Sequence, residues 1–438
     1  MALPMVYGGP GRYVQGPGEL SRQGRYLSWL GCAAYVLFDQ GTEDRLCRQI
    51  VDGFLDEDLS EPFFKIYNGP CTEEAVVEMA KEARAEYCDM VVGIGGGKML
   101  DIAKAVAFYA ELPLCVCPTA ASMDGPCSAI SVLYHEDGSF DRYLMLEKNP
   151  DLVVVDTNVV AAAPLRMTVA GMGDALATYF EARSCAAAHG ANEHGGAPGH
   201  LALVAARACY DTLMECGVAA KRDLKKGRTS PAIERLIECN ILLSGVGFES
   251  GGLALAHAIA NGLTILPECK AMHGEAVAFG LVVQLRLERA PELEQVLEFC
   301  QRVGLPTTLE ELGLGEISDA DLEFSINKNR KRAGVAPLTN ALIANVWDAG
   351  YWDHAQNKTV CKKMTMLDEI RRERACELFG EGFRENDLKR WGIAHTNLTG
   401  QKLGRRILNT AYMTGIANDA TYHGQLSYDP SVRLLTYG

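Results

Sequence analysis

Hydrophobic and polar positions change rhythm once along this chain. Over the first 165 or so residues, short apolar runs alternate with stretches of helical period. Residues 33–38 (Ala-Ala-Tyr-Val-Leu-Phe) are an apolar run ending at Asp39. Residues 75–86 carry apolar side chains at helical spacing. Residues 90–94 (Met-Val-Val-Gly-Ile) read as a buried strand and 99–109 as the helix after it. Further strands are expected at 114–117 and 152–155. Continuous apolar strands joined by helices imply a parallel sheet, because parallel neighbours can be joined only by long crossovers. After Pro164 the pattern becomes helical throughout, at 174–188, 200–215, 232–248, 253–263 and 273–289. The segment 187–199, rich in Ala, Gly and His, reads as a loop. The expected fold class is therefore an α/β N-terminal domain with a parallel sheet, residues 1–164, followed by an all-α domain, residues 165–323.

Composition narrows the class. The chain has 438 residues, too many for one ordinary core, with 48% hydrophobic and 22% charged residues, as in soluble globular proteins. A formal net charge of -14 with no offsetting basic stretch argues against nucleic acid as a partner. The N-terminal stretch has neither the basic nor the apolar region of a secretory signal, and no run reaches the roughly 18 apolar residues of a membrane span. The 15 cysteines are scattered in apolar surroundings and read as thiols in a reducing, cytoplasmic compartment. Cys115 and Cys117 lack the spacing of a redox or zinc motif and are expected on one face of one strand.

Two regions carry candidate chemistry. The strand at 90–94 runs into Gly95-Gly96-Gly97-Lys98, and a helix follows at once. Glycines let the backbone approach a phosphate, and a helix N-terminus supplies free N–H groups. The spacing matches neither the G-x-G-x-x-G fingerprint nor a P-loop. A bare turn remains an alternative, but three glycines and a lysine at this switch favour a diphosphate. Asp39, at the end of the first strand, suits the two ribose hydroxyls and would repel a 2′-phosphate, which favours NAD over NADP; a surface turn is the other reading. The small, hydroxyl-rich segment 118–128 also follows a strand, where ligands lie in open α/β sheets.

The second region is Asp174, His257 and His273. One carboxylate and two imidazoles make a three-ligand set for a catalytic divalent metal with an open position. Singly, Asp174 reads as a residue capping a helix start, His257 as a core histidine and His273 as a histidine opening a helix.

Longer stretches settle the weighting. Residues 93–105, 118–134, 149–156, 171–183 and 243–257 resemble the NAD-dependent glycerol dehydrogenases of the metal-dependent, iron-containing type alcohol dehydrogenase family, and the likeness spans about residues 8–323. The resemblance implies an N-terminal dinucleotide-binding domain, a helical domain and a metal in the cleft between them. By motif it makes Asp174, His257 and His273 ligands of Zn2+. It assigns NAD contacts to Asp39, Gly95, Gly96, Gly97, Lys98, Thr119, Ser122, Ser128, Ile130 and Tyr134. Asp124 is placed beside the substrate, which makes Asp124, Asp174, His257 and His273 the catalytic set. Met123 and Gly125 replace residues more often Thr and Ala in such enzymes. The implied reaction is hydride transfer from a small-molecule polyol, glycerol or a related vicinal diol, to NAD, giving dihydroxyacetone, in a homo-oligomer with neither membrane nor nucleic acid as a partner.

After about Glu323 the chain leaves this pattern. Residues 326–339 and 367–392 resemble the C-terminal part of SusD/RagB-like lipoproteins. The third region, 324–438, is thus expected as an atypical, mostly helical or irregular tail, with an amphipathic helix-turn-helix at 366–391. The alternative function is a catalytically impaired fusion or a carbohydrate-binding protein using the dehydrogenase body as scaffold.

Overall fold

The computed structural model describes residues 3–57, 59–264, 266 and 268–315, and beyond them five short strands. The chain opens with β1 (Tyr13–Gly16), α1 (Gly24–Leu27), β2 (Ala34–Phe38), α2 (Gln40–Leu55), β3 (Phe63–Ile66), α3 (Glu73–Ala85), β4 (Met90–Gly95), α4 (Gly97–Ala110) and β5 (Leu114–Pro118). The antiparallel hairpin of β6 (Ile130–Tyr134) and β7 (Phe140–Met145) follows, then β8 (Leu152–Asp156) and the short α5 (Thr157–Ala161).

Six strands form one parallel sheet in the order β1-β8-β5-β4-β2-β3. The sheet core explains the continuous apolar runs. Every residue of β2, β4, β5 and β8 is buried, because both faces of the sheet are covered. On one face Val36, Phe38, Val92, Ile94 and Val154 pack with Leu46, Ile50 and Phe54 of α2. Each such side chain contributes roughly 1.5–3 kcal/mol when fully buried. The thiols of Cys115 and Cys117 share a face, 3.8 Å apart, as period two requires. Strand order reverses between β2 and β4: the chain moves from β2 out to β3, then returns past β2 to β4 and β5. Ligands in such sheets lie beyond the strand ends at this reversal.

From Pro164 onward the unit is helical: α6 (Leu165–Ala187), α7 (His200–Thr212), α8 (Val218–Lys225), α9 (Pro231–Glu238), α10 (Ser244–Gly251), α11 (Leu255–Leu263), α12 (His273–Glu288) and α13 (Leu293–Val303). The first of these helices, α6, begins at Leu165. Two expectations change. Asp174 does not begin a helix; it is the tenth residue of α6, fully buried. The helix expected over 232–248 is α9 and α10 joined by a π-helical segment, Cys239–Leu243. Among the described residues, no single helix is long and apolar enough to cross a membrane.

The chain up to Leu285, together with α13, makes one compact unit. In a second unit, β9 (Tyr351–Asp353) pairs antiparallel with β10 (Lys358–Val360). There too β12 (Gln425–Asp429) pairs antiparallel with both β11 (Lys402–Leu403) and β13 (Leu434–Thr436). The helix-turn-helix expected at 366–391 and the segment 326–339 lie outside the described residues.

Candidate metal and cofactor site

Three elements bring the metal set together. Asp174 comes from the middle of α6, His257 from the first turn of α11 and His273 from the start of α12. Asp174 Oδ1 lies 3.3 Å from His257 Nε2 and 3.4 Å from His273 Nε2. One ligand atom from each residue lies within 4.8 Å of the other two. Asp174 Oδ1 is buried and accepts no hydrogen bond, whereas Oδ2 accepts one from the Asp124 backbone N–H at 3.1 Å. A tetrahedral centre with ligands at about 2.05 Å holds its donors about 3.3 Å apart, so the two carboxylate–imidazole separations fit a divalent ion. A buried, unpartnered carboxylate oxygen facing two imidazole nitrogens is otherwise costly, and an ion would satisfy it.

Burial opposes the ionisation of Asp174, but His273 and His257 outweigh it and hold the carboxyl well below the usual carboxylate range. Burial also works against a charged His257. Glu181 and Asp174 reverse that and raise the imidazole well above its ordinary value. The group beside them, Asp124, is pushed up well above the usual range by burial and then by the Asp174 charge.

Sequence gives the local reasons for this geometry. Gly171 and Gly173 sit inside α6 because other segments approach its backbone there. A Cβ on Gly171 would lie 1.9 Å from the Ala121 carbonyl oxygen, and one on Gly173 would lie 2.2 Å from that of Gly274. The first contact seats the loop that carries Ser122 and Asp124 against α6; the second seats His273. Arg166 at the start of α6 meets both oxygens of Glu275 at 2.7 Å, and Glu275 accepts from the Met272 N–H, which fixes the start of α12. Asn240, in the π segment, donates to the carbonyls of Ala121 and Thr168, and Ser244 just after it donates to Asp124 Oδ2 at 2.9 Å. π segments often mark functional sites; this one supplies Asn240 and is followed at once by Ser244, and both hold the loop.

Of the expected cofactor residues, Asp39, Gly95–Gly97 and Thr119 lie at the strand ends around the reversal, whereas Ile130 and Tyr134 belong to the separate β6/β7 hairpin. Asp39 caps α2, accepting from the Thr42 N–H at 2.8 Å, and its Oδ2 lies 3.8 Å from where a Gly95 Cβ would be. Gly96 is the N-cap of α4, and a Cβ there would meet nothing within 4 Å, so the turn stands open above the helix N-terminus. The Met123 thioether lies against Gly97. Thr119 and half-buried Ser122 belong to the loop after β5, and the Thr119 N–H donates to the Gly95 carbonyl at 2.9 Å. Ser128 is buried and its hydroxyl bonds inward, to Lys104 and the Gly125 carbonyl. Ile130 and Tyr134 bound β6 and are half-buried. Lys98 is exposed and donates to the Asn68 carbonyl at 3.0 Å.

Two functional residues escaped sequence reasoning. Lys104, buried on α4, donates to Gly125 O, Ser128 Oγ and Ile130 O, tying that helix to the loop beyond Asp124. Glu181, fully buried on α6, meets His257 Nδ1 at 2.5 Å. The available signal was position: Glu181 follows Asp174 by seven residues, on the same face of the helix.

Comparison with known proteins points to one family for the body of the chain. The family described as iron-containing alcohol dehydrogenase matches residues 10–157, and the SusD family matches residues 311–428. The chain is 48% identical to a glycerol dehydrogenase of Thermotoga maritima over 327 residues, 72% of this chain and 86% of that one. It is 47% identical to a glycerol dehydrogenase of Pseudomonas putida, over 70% of this chain and 85% of the relative. The crystal structure of a probable glycerol dehydrogenase from Sinorhizobium meliloti superposes with a TM-score of 0.70 at 41% identity, covering 77% of this chain and 95% of that one. At this identity and coverage, the chain belongs to the iron-containing alcohol dehydrogenase family.

Proposed function

We propose that this protein oxidises glycerol, or a closely related vicinal diol, with NAD as hydride acceptor and zinc as the metal held by Asp174, His257 and His273. The observation that carries this reading is the orphaned Asp174 Oδ1 facing two imidazole Nε2 atoms. Two nitrogens and one carboxylate oxygen, with a fourth position open, are the donor set of catalytic zinc. When bound, zinc supplies Lewis-acid polarisation of an alcohol and NAD supplies the hydride acceptor.

The protein's own groups orient the reactants. Asp39 is positioned to receive the ribose hydroxyls, and the Gly95–Gly97 turn with the N-terminus of α4 to receive the diphosphate. Asp124 acts twice: its N–H holds Asp174 Oδ2, and its carboxyl, tethered by Ser244, offers a hydrogen-bonding partner to a second substrate hydroxyl. That second contact is why a vicinal diol suits the site better than a simple alcohol. With NAD held by these residues, the overall reaction would convert glycerol and NAD to dihydroxyacetone, NADH and a proton. A cytoplasmic, closed homo-oligomer belongs to the same reading.

Zinc-loaded full-length protein should reduce NAD when glycerol is added and do so far more slowly with 1-propanol. Equal turnover of both alcohols would sink the diol assignment.

A further inference from the structure

Glu181 is outside the expected substrate, cofactor and metal residues, yet both of its carboxylate oxygens are engaged. It sits two helical turns beyond Asp174 on α6, with no solvent exposure. Oε1 accepts from the backbone N–H groups of Ala254 at 2.9 Å and His257 at 3.0 Å. Oε2 faces His257 Nδ1 at 2.5 Å. The first pair satisfies orphan donors at the start of α11, whose N-cap, Ala254, has no side chain able to do so. The second contact determines where the imidazole proton sits. With Oε1 already accepting from two backbone N–H groups, an N–H on Nδ1 serves the Oε2 contact, and Nε2 is the nitrogen left to face Asp174.

We propose that Glu181 is the positioning residue that makes His257 a metal ligand: it keeps the proton on Nδ1, fixes the ring plane and aims Nε2 at the site. This rests on the zinc reading above. The metal affinity of the chain then depends on a residue that never contacts the metal. Partners of this kind typically govern 10–100-fold of metal affinity.

The discriminating substitution is Glu181→Gln, which keeps shape but replaces one acceptor with a donor. If the amide oxygen keeps the two backbone N–H groups, the NH2 faces Nδ1. Nδ1 must then accept, and the proton moves to Nε2, the nitrogen needed for the metal. Zinc affinity is measured on metal-stripped full-length protein by competition with a chromogenic chelator, beside NADH affinity and thermal unfolding of the metal-free chain. The expected result is a zinc Kd weakened about 10–100-fold with NADH affinity and the metal-free melting temperature unchanged. Unchanged zinc affinity, or zinc and NADH affinity falling together with stability, overturns the proposal. As a second readout, 15N-histidine NMR of the zinc-loaded parent, assigned with His257→Asn, should show His257 protonated at Nδ1; protonation at Nε2 overturns it even if Glu181→Gln does not fold. The His273→Ala variant separates the two claims. If it loses zinc while Glu181→Gln binds as the parent does, only the Glu181 role fails; if the parent itself binds no zinc, both fail.

Discussion

Gly173 and Gly274 meet backbone to backbone: a Cβ on Gly173 would lie 2.2 Å from the Gly274 carbonyl oxygen. Asp174 and His273 are the next residues on either side, so this contact sets the 3.4 Å separation of their ligand atoms. A Cβ on Gly274 would fare no better, at 1.9 Å from the Ala170 carbonyl. Gly274→Ala must push α12 off α6. The expected cost is about 1–3 kcal/mol of stability, as in other overpacked contacts, with zinc affinity reduced as well. Urea unfolding and chelator competition read the two effects. A variant with parental zinc affinity would show that this contact does not set the ligand geometry.

His273→Ala removes one of the three proposed ligands from the half-exposed side of the site while leaving the strand ends untouched. Zinc content and glycerol-dependent turnover should fall together, and NADH binding followed by fluorescence should persist. Glycerol oxidation by the metal-stripped variant would refute the ligand assignment.

Lys104 is a buried ammonium with three acceptors, matching its three donors. Lys104→Met keeps much of the volume and leaves Gly125 O, Ser128 Oγ and Ile130 O without that partner. Stability should fall by about 1–3 kcal/mol, the usual cost of a buried polar group left unpaired. The KM for NAD should rise more than kcat falls, because the loosened loop belongs to the cofactor side. Kinetics with parental KM would confine Lys104 to a purely structural role.

Burial, partly offset by Lys104 and a backbone hydrogen bond from Val132, pushes the Asp101 carboxyl up to about 6. In an unfolded chain the same group titrates near ~3.9. The folded protein therefore binds more protons between roughly pH 4 and 6, and the contribution of this group to stability declines as pH rises through that window. Above about pH 6 the charged form costs up to about 3 kcal/mol, two pKa units at about 1.4 each. Asp101→Asn keeps an acceptor without the charge. It should be more stable than the parent at neutral pH, with the gap closing toward about pH 4. Parallel stability-versus-pH curves would contradict this.

Much of this was legible before the structure, and the failures have physical causes. Runs such as Met90–Ile94 announced the central strands because a strand covered on both faces has no polar alternation to hide it. The edge strands β1 and β3 escaped because Tyr13–Gly16 and Phe63–Ile66 are four residues long and only half-buried. Asp174 was misplaced because Gly171 and Gly173 look like helix breakers, whereas both mark close backbone contact within one helix. Helical period alone cannot register the π segment at Cys239–Leu243, since one inserted residue leaves the apolar pattern almost intact. Glu181 was passed over because a glutamate in a helix ordinarily faces water; only the burial of its entire helix face shows otherwise.

The central claim is that zinc on Asp174, His257 and His273 enables hydride transfer from glycerol to NAD. Its most direct test is a zinc titration of metal-stripped full-length protein, with NADH formation from glycerol recorded at each addition. NADH formation should rise linearly with bound zinc and saturate at one ion per chain, with iron(II) restoring less. Turnover that survives metal removal, or a chain that binds one zinc and NAD yet leaves glycerol unoxidised, would contradict the account.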